Sequence, residues 1–387
     1  MSKLEELIQR YCPDGVEYAR LGDVVRVCRG TRVVKSQLTD VGYPVYQNCL
    51  TPMGCFENTN CPKGTTFVIC GGAAGNVGYT DVDCWAADDC EYIECSHTIL
   101  NRYVYYCLMS KQHYLLSKVR KASIPRLAPD VIKNLEIPVP PLPVQEEIVR
   151  ILDIFTELQA ELQAELQERK SQYSYYLDNL LSFNKWGGYQ TEVRWMKLSE
   201  VASFTYGYTS KAQDLGNVRY IRITDITDKG QLNPKNGKYI PLTEDVRPYL
   251  LQKGDLIMAR TGATYGKTLY YNEDYPSAYA SFLIKITLNQ SVDSKYYWHF
   301  TRSSIYWEQA NRLVGGGAQP QFNTGAISQV KIPLPSLEEQ KRIAGILDRF
   351  DCLANDLSAG LPAEMKKRRQ QYEYYRDKLL SFRRKGA

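Results

Sequence analysis

Residue types that commonly carry catalysis are sparse in this sequence, and none falls in a recognisable catalytic pattern. The three histidines, His97, His113 and His299, have neither the spacing of a catalytic triad nor that of a metal site. The stretch GATYGKT at residues 262–268 resembles a phosphate-binding loop, but it has three residues between its glycines where that loop needs four. We interpret it as a glycine-rich turn, because the matching stretch GGAAGNVGY lacks the lysine. No catalytic residue is predicted.

Cysteines are the second group that could carry chemistry, and ten of the eleven precede residue 108. Cys49, Cys55 and Cys61 are six residues apart, and the sequence has no C-x-x-C pair. Zinc sites use closer cysteine pairs, so this spacing argues against a metal site. We interpret the cysteines as reduced, partly buried thiols of a cytosolic protein.

Side chains that can read DNA are concentrated near glycine-containing turns in two stretches of the chain. In the first stretch the candidate DNA-binding residues are Arg29, Thr31, Arg32, Asn76, Ser123 and Arg126. In the second stretch they are Tyr206, Tyr208, Thr209, Lys211, Arg260, Thr261, Lys267, Gln319, Gln321 and Asn323. Ordinary polar surface loops are the alternative interpretation. The two sets differ from each other, however, as the readers of two different half-sites would.

The elements that position these residues are duplicated within the chain. Residues 137–155 (IPVPPLPVQEEIVRILDIF) match residues 332–350 (IPLPSLEEQKRIAGILDRF) at ten of nineteen positions, with an offset of 195. Residues 172–183 (QYSYYLDNLLSF) match residues 371–382 (QYEYYRDKLLSF) at nine of twelve positions, with an offset of 199. Weaker matches extend upstream, so the order of segments is head, helix, head, helix.

Each copy ends in a long amphipathic helical segment. In the first copy, apolar residues from Ile148 to Leu181 recur at steps of three and four, which predicts one apolar stripe. Prolines up to Pro143 exclude helix before this segment, and the glycines at 187–188 can end it.

The second helical segment begins with the capping-box pattern SLEE at residues 336–339. Gly360 and Pro362 indicate a kink or break that the first copy lacks. Two long helices with matching stripes pack most simply on each other. Because each joins two copies of the same head, we expect them to run antiparallel.

The heads contain short β-rich runs, such as FVIC and SFLIKIT, separated by turn residues and followed by an aromatic helical stretch. The predicted fold class is therefore α+β, with two mixed α/β heads containing curved sheets. The heads are expected in a pseudo-two-fold arrangement, joined by two long antiparallel, coiled-coil-like helices. The predicted segments are 1–143 (first head), 144–186 (central helical spacer), 187–336 (second head) and 337–387 (C-terminal helical spacer).

Length and composition are consistent with a multi-domain protein. The 387 residues exceed the usual size of one domain, and 44% are hydrophobic. The net charge of +5 is a mild indication of an anionic partner. The charged start MSKLEELIQR is unlike a signal peptide, and no apolar run approaches the ~18 residues of a membrane span. We expect a soluble, cytoplasmic protein that does not bind a membrane.

The duplicated blocks resemble the specificity subunit of type I restriction–modification systems. The resemblance is carried by IPVPPLPVQEEIVRILD with QYSYYLDNLLSF and by their repeats, IPLPSLEEQKRIAGILD with QYEYYRDKLLSF. The opening MSKLEELIQRYCPDGVEYARLGDV and the segment SIPRLAPDVIKNLEIP add to it. Together these motifs extend the resemblance over essentially the whole chain.

The resemblance implies two target-recognition domains, each reading one half of a bipartite, asymmetric site in double-stranded DNA. It implies a non-catalytic subunit of an adenine-N6 methyltransferase and ATP-dependent endonuclease complex. Two methyltransferase subunits would dock on the helices and heads, with two restriction subunits as optional further partners. S-adenosylmethionine, ATP and Mg²⁺ would serve those partners, and no cofactor is expected in this chain.

At the matching positions of the two helical blocks, the resemblance predicts roles for single residues. The residues predicted to bind a partner or to pack the helices are Gln145, Tyr173, Tyr175, Tyr176, Gln340, Tyr372, Tyr374 and Tyr375. For the matched apolar residues Ile148, Leu152, Ile343 and Leu347, core packing is the alternative to partner binding.

The sequence ELQAELQAELQ at residues 157–167 repeats one tetrad almost three times. One tetrad lengthens a helix by ~6 Å and turns it ~40° past a full turn. One base-pair step of DNA turns by about 35°, so a head moved by one tetrad would stay facing the groove. We predict a spacer ruler here, whose candidate residues are Glu157, Leu158, Leu162 and Leu166. A simple repeat of good helix formers is the alternative.

Two other functions stay open at this level, a stand-alone DNA-modifying enzyme and a protein-binding scaffold. Methylation of DNA by the purified chain alone would favour the enzyme. Absence of salt-dependent DNA binding would favour the scaffold.

Overall fold

The computed structural model describes residues 3–183, 193–315, 320–355 and 360–386. The chain divides into unit 1 (Met1–Leu162 with Met365–Ala387) and unit 2 (Gln163–Glu364). Each unit contains one head together with part of each helical segment. The division of the chain into four separate segments therefore stays a prediction.

Unit 1 contains the first head and the beginning of the longest helix. Its helices are α1 (Lys3–Tyr11), α2 (Leu21–Val24), α3 (Asn101–Ser110), α4 (Gln112–Ser117), α5 (Pro129–Lys133) and the first part of α6 (Leu142–Ser182). Its strands are β1 (Tyr18–Arg20), β2 (Val25–Arg29), β3 (Tyr43–Tyr46), β4 (Cys55–Phe56), β5 (Thr65–Ile69), β6 (Val77–Thr80), β7 (Trp85–Ala86), β8 (Cys90–Cys95) and β9 (Glu136–Pro138).

These strands form three small sheets. The largest has the order β2-β8-β5-β6, and all its pairs are antiparallel. A second sheet has the order β4-β3-β7 with a parallel β3–β7 pair, and β1 pairs with β9. This confirms the predicted mixture of short strands and helices in the first head.

Strand β5 lies at the centre of the first head because all five of its side chains are buried. Its sequence, TTFVI, has no charged residue, as expected for a strand covered on both faces. Val68 shares a core with Tyr103 and Leu108 of α3. Phe67 and Ile69 pack instead with three buried cysteines, so these thiols fill space in the core.

Unit 2 repeats this architecture. Its strands are β10 (Arg194–Lys197), β11 (Ala202–Tyr206), β12 (Val218–Ile221), β13 (Tyr239–Ile240), β14 (Leu256–Ala259), β15 (Thr268–Tyr270), β16 (Ser277–Tyr279), β17 (Leu283–Leu288) and β18 (Lys331–Leu334). Its further helices are α7 (Leu198–Val201), α8 (Ser294–Phe300), α9 (Ser304–Leu313), α10 (Thr324–Ile327) and α11 (Leu337–Asn355), and α12 (Leu361–Leu379) passes into unit 1.

The sheets of unit 2 have the same connectivity as those of unit 1. Their orders are β11-β17-β14-β15, β13-β12-β16 and β10-β18, and the β12–β16 pair is again parallel. Each strand thus has a counterpart in the other head at the same place in its sheet. The α+β fold class with two mixed α/β heads and long helices is confirmed.

Helix α6 is continuous over 41 residues, which corresponds to about 60 Å. It begins at Leu142, so Pro143 lies in its first turn rather than before it. A proline is tolerated there because the first N–H groups of a helix need no partner within it. The glycines at 187–188, predicted to end this helix, lie outside the described residues.

The second helical segment comprises two helices of 19 residues each, α11 and α12. The Ser336 hydroxyl accepts a hydrogen bond from the Glu339 backbone N–H at 3.3 Å, as the capping pattern predicts. Helix α11 ends at Asn355 and α12 begins at Leu361, next to the predicted breakers Gly360 and Pro362. Residues 356–359 lie outside the described part of the chain.

Within unit 1, the beginning of α6 packs against the end of α12. Ile148 and Leu152 are fully buried in a core that also contains Tyr372 and Leu380. The ring of Phe155 stacks on Tyr375, with centroids 5.7 Å apart. The apolar stripe predicted from the sequence therefore faces both the head and the second helical block.

Within unit 2, the end of α6 and the beginning of α11 share the core of the second head. Tyr173 and Leu177 are buried together with Ile343 and Leu347. The matched positions Ile148, Leu152, Ile343 and Leu347 are all core residues.

Two observations concern binding capacity in the described part of the chain. No helix there has the length and apolar character that crossing a membrane requires. No group of three or more histidine, cysteine, aspartate or glutamate side chains in these residues could hold a metal ion. None of the eleven cysteines, all of which lie in the described residues, forms a disulfide.

Candidate nucleic-acid interface

In the first head, the turn after β5 is tied by backbone hydrogen bonds to the segment before α5. The Leu127 N–H donates to the Cys70 carbonyl at 2.9 Å, and the Gly72 N–H donates to the Pro125 carbonyl at 3.0 Å. Gly72 has φ +81°, and a Cβ there would lie 2.9 Å from the backbone oxygen of Asn48. Only glycine fits this close approach. Two distant parts of the sequence are thereby held at one end of the sheet.

The second head repeats this arrangement. The Phe322 N–H donates to the Arg260 carbonyl at 2.8 Å, and the Gly262 N–H donates to the Pro320 carbonyl at 3.1 Å. We call these matched regions tip 1 (residues 29–32, 70–76 and 123–127) and tip 2 (residues 206–211, 260–267 and 320–323). Each tip gathers polar side chains that are far apart in the sequence.

Tip 1 surrounds a cleft of about 600 Å³. Three predicted residues, Arg29, Ser123 and Arg126, line it together. Lys118 and Arg120 also line the cleft, and the sequence analysis missed both. The basic run KVRK at residues 118–121, shortly before Ser123, was the signal that could have identified them.

Carboxylates and backbone oxygens hold the arginines of tip 1 in place. The Arg126 guanidinium pairs with Asp89 at 2.9 Å, and Arg29 Nε donates to the Asp88 carbonyl at 3.3 Å. Burial raises the pKa of Glu91, which lines the same cleft, while the Arg29 charge opposes that shift. The cleft presents fixed cationic donors whose free N–H groups can reach a base edge or a phosphate.

The other predicted residues of the first head lie nearby or serve the scaffold. Thr31 and Arg32 are exposed and follow β2 directly. The Trp85 indole donates to the Thr31 carbonyl at 2.8 Å, which fixes the backbone there. Asn76 accepts a hydrogen bond from the Gln112 side chain at 3.1 Å, so its amide ties the turn to α4.

Tip 2 places an arginine among aromatic rings. The guanidinium of Arg260 lies 5.2 Å from the ring centroid of Tyr206 and 5.5 Å from that of Phe282. Arg260 Nε donates to the Ser281 carbonyl at 3.2 Å. Tyr206, Phe282 and Gln321 are exposed, so this stacked arginine has a partly apolar, solvent-facing surround. Arginine–aromatic stacking leaves the remaining guanidinium N–H groups available to a ligand.

Three predicted residues of tip 2 have structural roles. Thr261 is 2% exposed and pairs with Gln321 through the backbone, so its side chain is not presented at the surface. Asn323 caps α10 by accepting from the Ala326 N–H at 3.0 Å. The ring of Tyr208 packs against Tyr249, with centroids 5.3 Å apart.

The remaining predictions in the second head are scattered. Thr209 and Lys211 are exposed on the loop after β11. Lys267 ends the turn of tip 2 but pairs with Asp228 in a separate cleft beside α6. Gln319 lies outside the described residues.

Three positions correspond in the two tips but carry different side chains. These pairs are Arg29 with Tyr206, Cys70 with Arg260, and Arg126 with Gln321. The backbone framework is the same in both heads, whereas the groups offered to a ligand differ. The assignment of these residues to DNA stays a prediction.

The two glutamines of the helical blocks are framework residues. The Gln145 side chain accepts from the Leu100 N–H at 2.9 Å and donates to the carbonyls of Thr98 and Pro140. Gln340 makes the same three contacts in unit 2, accepting from the N–H of residue 293 and donating to the carbonyls of residues 291 and 335. Both side chains are fully buried, so they pack the helix against the head.

The tyrosines of the QYxYY motifs divide into buried and exposed residues. Tyr173 and Tyr372 are buried in the cores of the two units. The four exposed tyrosines form two edge-to-face pairs, Tyr175 with Tyr176 and Tyr374 with Tyr375. In each pair the second ring stacks on a phenylalanine of the other helical block. An identical aromatic surface is therefore presented once in each unit.

The tetrad repeat of α6 spans the boundary between the two units. Glu157 and Leu158 are exposed, Leu162 is partly buried and Leu166 is buried. Unit 1 ends at Leu162 and unit 2 begins at the next residue. A change in the number of tetrads would therefore alter the connection between the two units.

Sequence comparisons point to one family. The model of the type I restriction modification DNA specificity domain matches residues 13–169 and 191–367. The chain is 36% identical over 273 residues to the EcoR124I/EcoR124II specificity subunit of Escherichia coli, an alignment that covers 65% of this chain and 63% of that protein. It is 30% identical over 316 residues to a type I restriction enzyme specificity subunit of Haemophilus influenzae, which covers 77% of this chain and 76% of the relative.

Solved structures show the same fold. The S subunit of a type I restriction–modification system from M. genitalium aligns with a TM-score of 0.63 and 16% identity, over 95% of this chain and 96% of that one. A chain from a study of type I restriction–modification complex assembly aligns with a TM-score of 0.59 and 17% identity, over 96% and 98% of the two chains.

Proposed function

This chain belongs to the type I restriction–modification DNA specificity family, and we propose that it is the sequence-recognition subunit of such a complex. Each head reads one half of a bipartite, asymmetric site in double-stranded DNA. The helices set the spacer between the halves and dock methyltransferase subunits. The E. coli relative is named as a specificity subunit of a restriction enzyme, and this chain has the corresponding non-catalytic role.

The observation that carries this proposal is that the two heads share one backbone framework but offer different side chains to a ligand. At one matched position, tip 1 offers Arg126 before α5 and tip 2 offers Gln321 before α10. Arginine recognises guanine through O6 and N7, whereas glutamine recognises adenine through N6 and N7. A duplicated scaffold with such exchanged donors suits two half-sites of different sequence.

Catalysis belongs to partner subunits in this proposal. Methyltransferase subunits modify one adenine in each strand with S-adenosylmethionine. Restriction subunits, where present, use ATP and Mg²⁺. In this proposal, this chain selects the DNA sequence to which the complex binds, and it holds none of these cofactors.

The duplicated tyrosine pairs support docking of two identical partners. Tyr175 is 55% exposed and Tyr374 is 62% exposed, and both stand at the same position of the repeated motif. Tyrosine is enriched at protein interfaces because its ring covers apolar area while its hydroxyl group stays solvated or bonded. Two copies of one surface suit two copies of one methyltransferase subunit.

The spacer prediction provides the test of the proposal. Deleting residues 161–164 removes one tetrad at the boundary between the units and shortens α6 by ~6 Å. We expect the spacer between the two half-sites to change while both half-sites keep their sequences. Long-read mapping of methylated adenines, in cells that express the complex with and without the deletion, measures both properties.

A matched control keeps the length of α6 constant. Gln163→Lys alters the same tetrad without removing residues, so the methylated sequence should equal that of the parent chain. Changed half-site sequences in the deletion strain would contradict the proposal, as would an unchanged spacer.

A further inference from the structure

Unit 2 contains a cleft of about 410 Å³ between α6 and the second head. Four cationic side chains line it, Lys170, Lys229, Lys267 and Arg302. Asp228 also lines the cleft and forms an ion pair with Lys267. Among the described residues, Lys170 and Lys229 have no ion pair, so the cleft keeps an excess of positive charge.

Arg302 is held rigidly in this cleft with part of its guanidinium unpartnered. Its carbon Cζ lies 4.9 Å from the ring centroid of Tyr173 and 4.5 Å from that of Trp298. Nη2 pairs with Asp351 at 2.6 Å, whereas the buried Nη1 has no hydrogen-bond partner among the described residues. A buried donor left without a partner is destabilising, so an acceptor bound here would be stabilising.

Lys229 lies in an unfavourable electrostatic field. Burial lowers the pKa of its ammonium group, and the positive charges of Lys170 and Arg302 lower that pKa further. Asp351 opposes the shift without reversing it. A bound anion would relieve this repulsion.

Two of the cationic residues that line this cleft have uncharged counterparts in unit 1. Met109 stands where Arg302 stands in the repeat, and Asn76 stands where Lys267 stands. A partner that binds twice, once per unit, would use groups that both units possess. The cleft therefore suits a ligand that contacts the second head alone.

We propose that this cleft binds a phosphate group, supplied by the backbone of DNA beside the half-site of the second head. The source of the phosphate rests on the proposed function. Lys267 closes the same turn that carries Arg260 and Thr261 of tip 2, so the cleft adjoins the reading surface along the chain. Cationic side chains that contact phosphates fix the register of a protein on DNA without reading sequence.

The first experiment tests the phosphate site without DNA. The full chain is unfolded thermally in inorganic phosphate and in chloride at equal ionic strength. The difference between the two salts should be smaller for Lys229→Gln than for the parent chain and the control Lys235→Gln, an exposed lysine of the same head. In chloride Lys229→Gln should be at least as stable as the parent, because it removes a repelled charge. Equal phosphate effects in all three chains would overturn the proposal.

The second experiment identifies the source of the phosphate. The complete complex binds a duplex that contains its methylated site, and the affinity is measured against salt concentration. Lys229→Gln should reduce the slope of log K against log salt by about 0.9, the value for one lost phosphate contact, without changing the methylated sequence. Lys235→Gln should leave the slope unchanged.

Together, the two experiments distinguish a failure of the phosphate site from a failure of DNA as its source. A phosphate effect that Lys229→Gln abolishes, together with an unchanged salt slope, would overturn DNA as the source and indicate a free phosphate compound. Absence of site-specific DNA binding by the parent complex would overturn the proposed function, while the first experiment still decides the phosphate site.

Discussion

The two heads differ at their tips and agree where they join the helices. At the junction, Gln145 and Gln340 make the same three hydrogen bonds. At the tips, the same backbone hydrogen bonds hold different side chains, such as Arg126 and Gln321. A position that keeps both its contacts and its residue in the two repeats serves the framework. A position that keeps its contacts but changes its residue can carry specificity.

One junction position combines both behaviours. Tyr106 donates to Asp153 in unit 1, and His299 takes the same place beside Asp348 in unit 2, with Nε2 and Oδ1 2.8 Å apart. The carboxylate is retained while its partner changes. We therefore expect the two units to differ in their response to pH.

The largest expected effect is on the framework. Gln145→Ala and Gln340→Ala each remove the partner of one N–H and two carbonyls in largely buried surroundings, which should reduce the free energy of unfolding by ~3 kcal/mol. Denaturant titration followed by hydrogen exchange would show the loss in the unit that carries the substitution. Gln167→Ala, on an exposed part of α6, is the control. If neither substitution reduced the free energy of unfolding, the assignment of these glutamines as framework residues would be wrong.

The next effect concerns the tips and should be specific to one half-site. Arg260→Ala should weaken binding of the DNA site by ~2 kcal/mol and relax base preference only in the half-site of the second head. Arg126→Ala should do the same for the other half-site. Arg26→Ala removes an exposed arginine of the first head and should have little effect. If one substitution relaxed the base preference in both half-sites, the claim that each head reads a single half-site would be contradicted.

A smaller effect is expected from pH and only in unit 2. Burial lowers the pKa of His299, and its contact with Asp348 opposes that shift. The unfolded chain protonates this histidine near pH 6.5, whereas the folded chain protonates it only at a lower pH. The free energy of unfolding is therefore highest above that pH and decreases as the pH falls through it, by at most ~1.4 kcal/mol per pH unit.

The variant His299→Tyr introduces the residue that unit 1 has at this position and removes the titration. Between pH 7 and pH 5, stability curves should have a shallower slope for His299→Tyr than for the parent. Identical slopes would show that this histidine does not govern the pH response.

The smallest effect on stability is expected for the exposed tyrosines. Tyr175→Ala and Tyr374→Ala should each change the free energy of unfolding by ~0.5 kcal/mol, because each loses one edge-to-face ring contact. Association with the methyltransferase subunit, measured by calorimetry, should nevertheless weaken in both variants. Tyr114→Ala removes another exposed tyrosine, outside the repeated motif, and should leave association unchanged.

Sequence analysis recovered the framework well because repetition and periodicity are local signals. The offset of 195 identified the matched glutamines, and the three-four spacing identified the buried stripe through Ile148 and Leu152. It could not tell which polar residues are satisfied within the fold. Thr261 is buried, and Lys267 lies in a separate cleft, although Thr261 follows Arg260 directly and Lys267 ends the same turn. Such differences depend on long-range pairing between a turn and a segment about 60 residues away, which residue types alone do not determine.

The most direct measurement is a methylation map of cells whose chain carries two copies of the first head. Residues 25–135 would replace residues 202–330, between matched junction positions of the two repeats. If the heads alone carry specificity and the helices alone set distance, the new site will contain the half-site of the first head twice, with the parental spacer. A map that still shows the half-site of the second head would contradict this account.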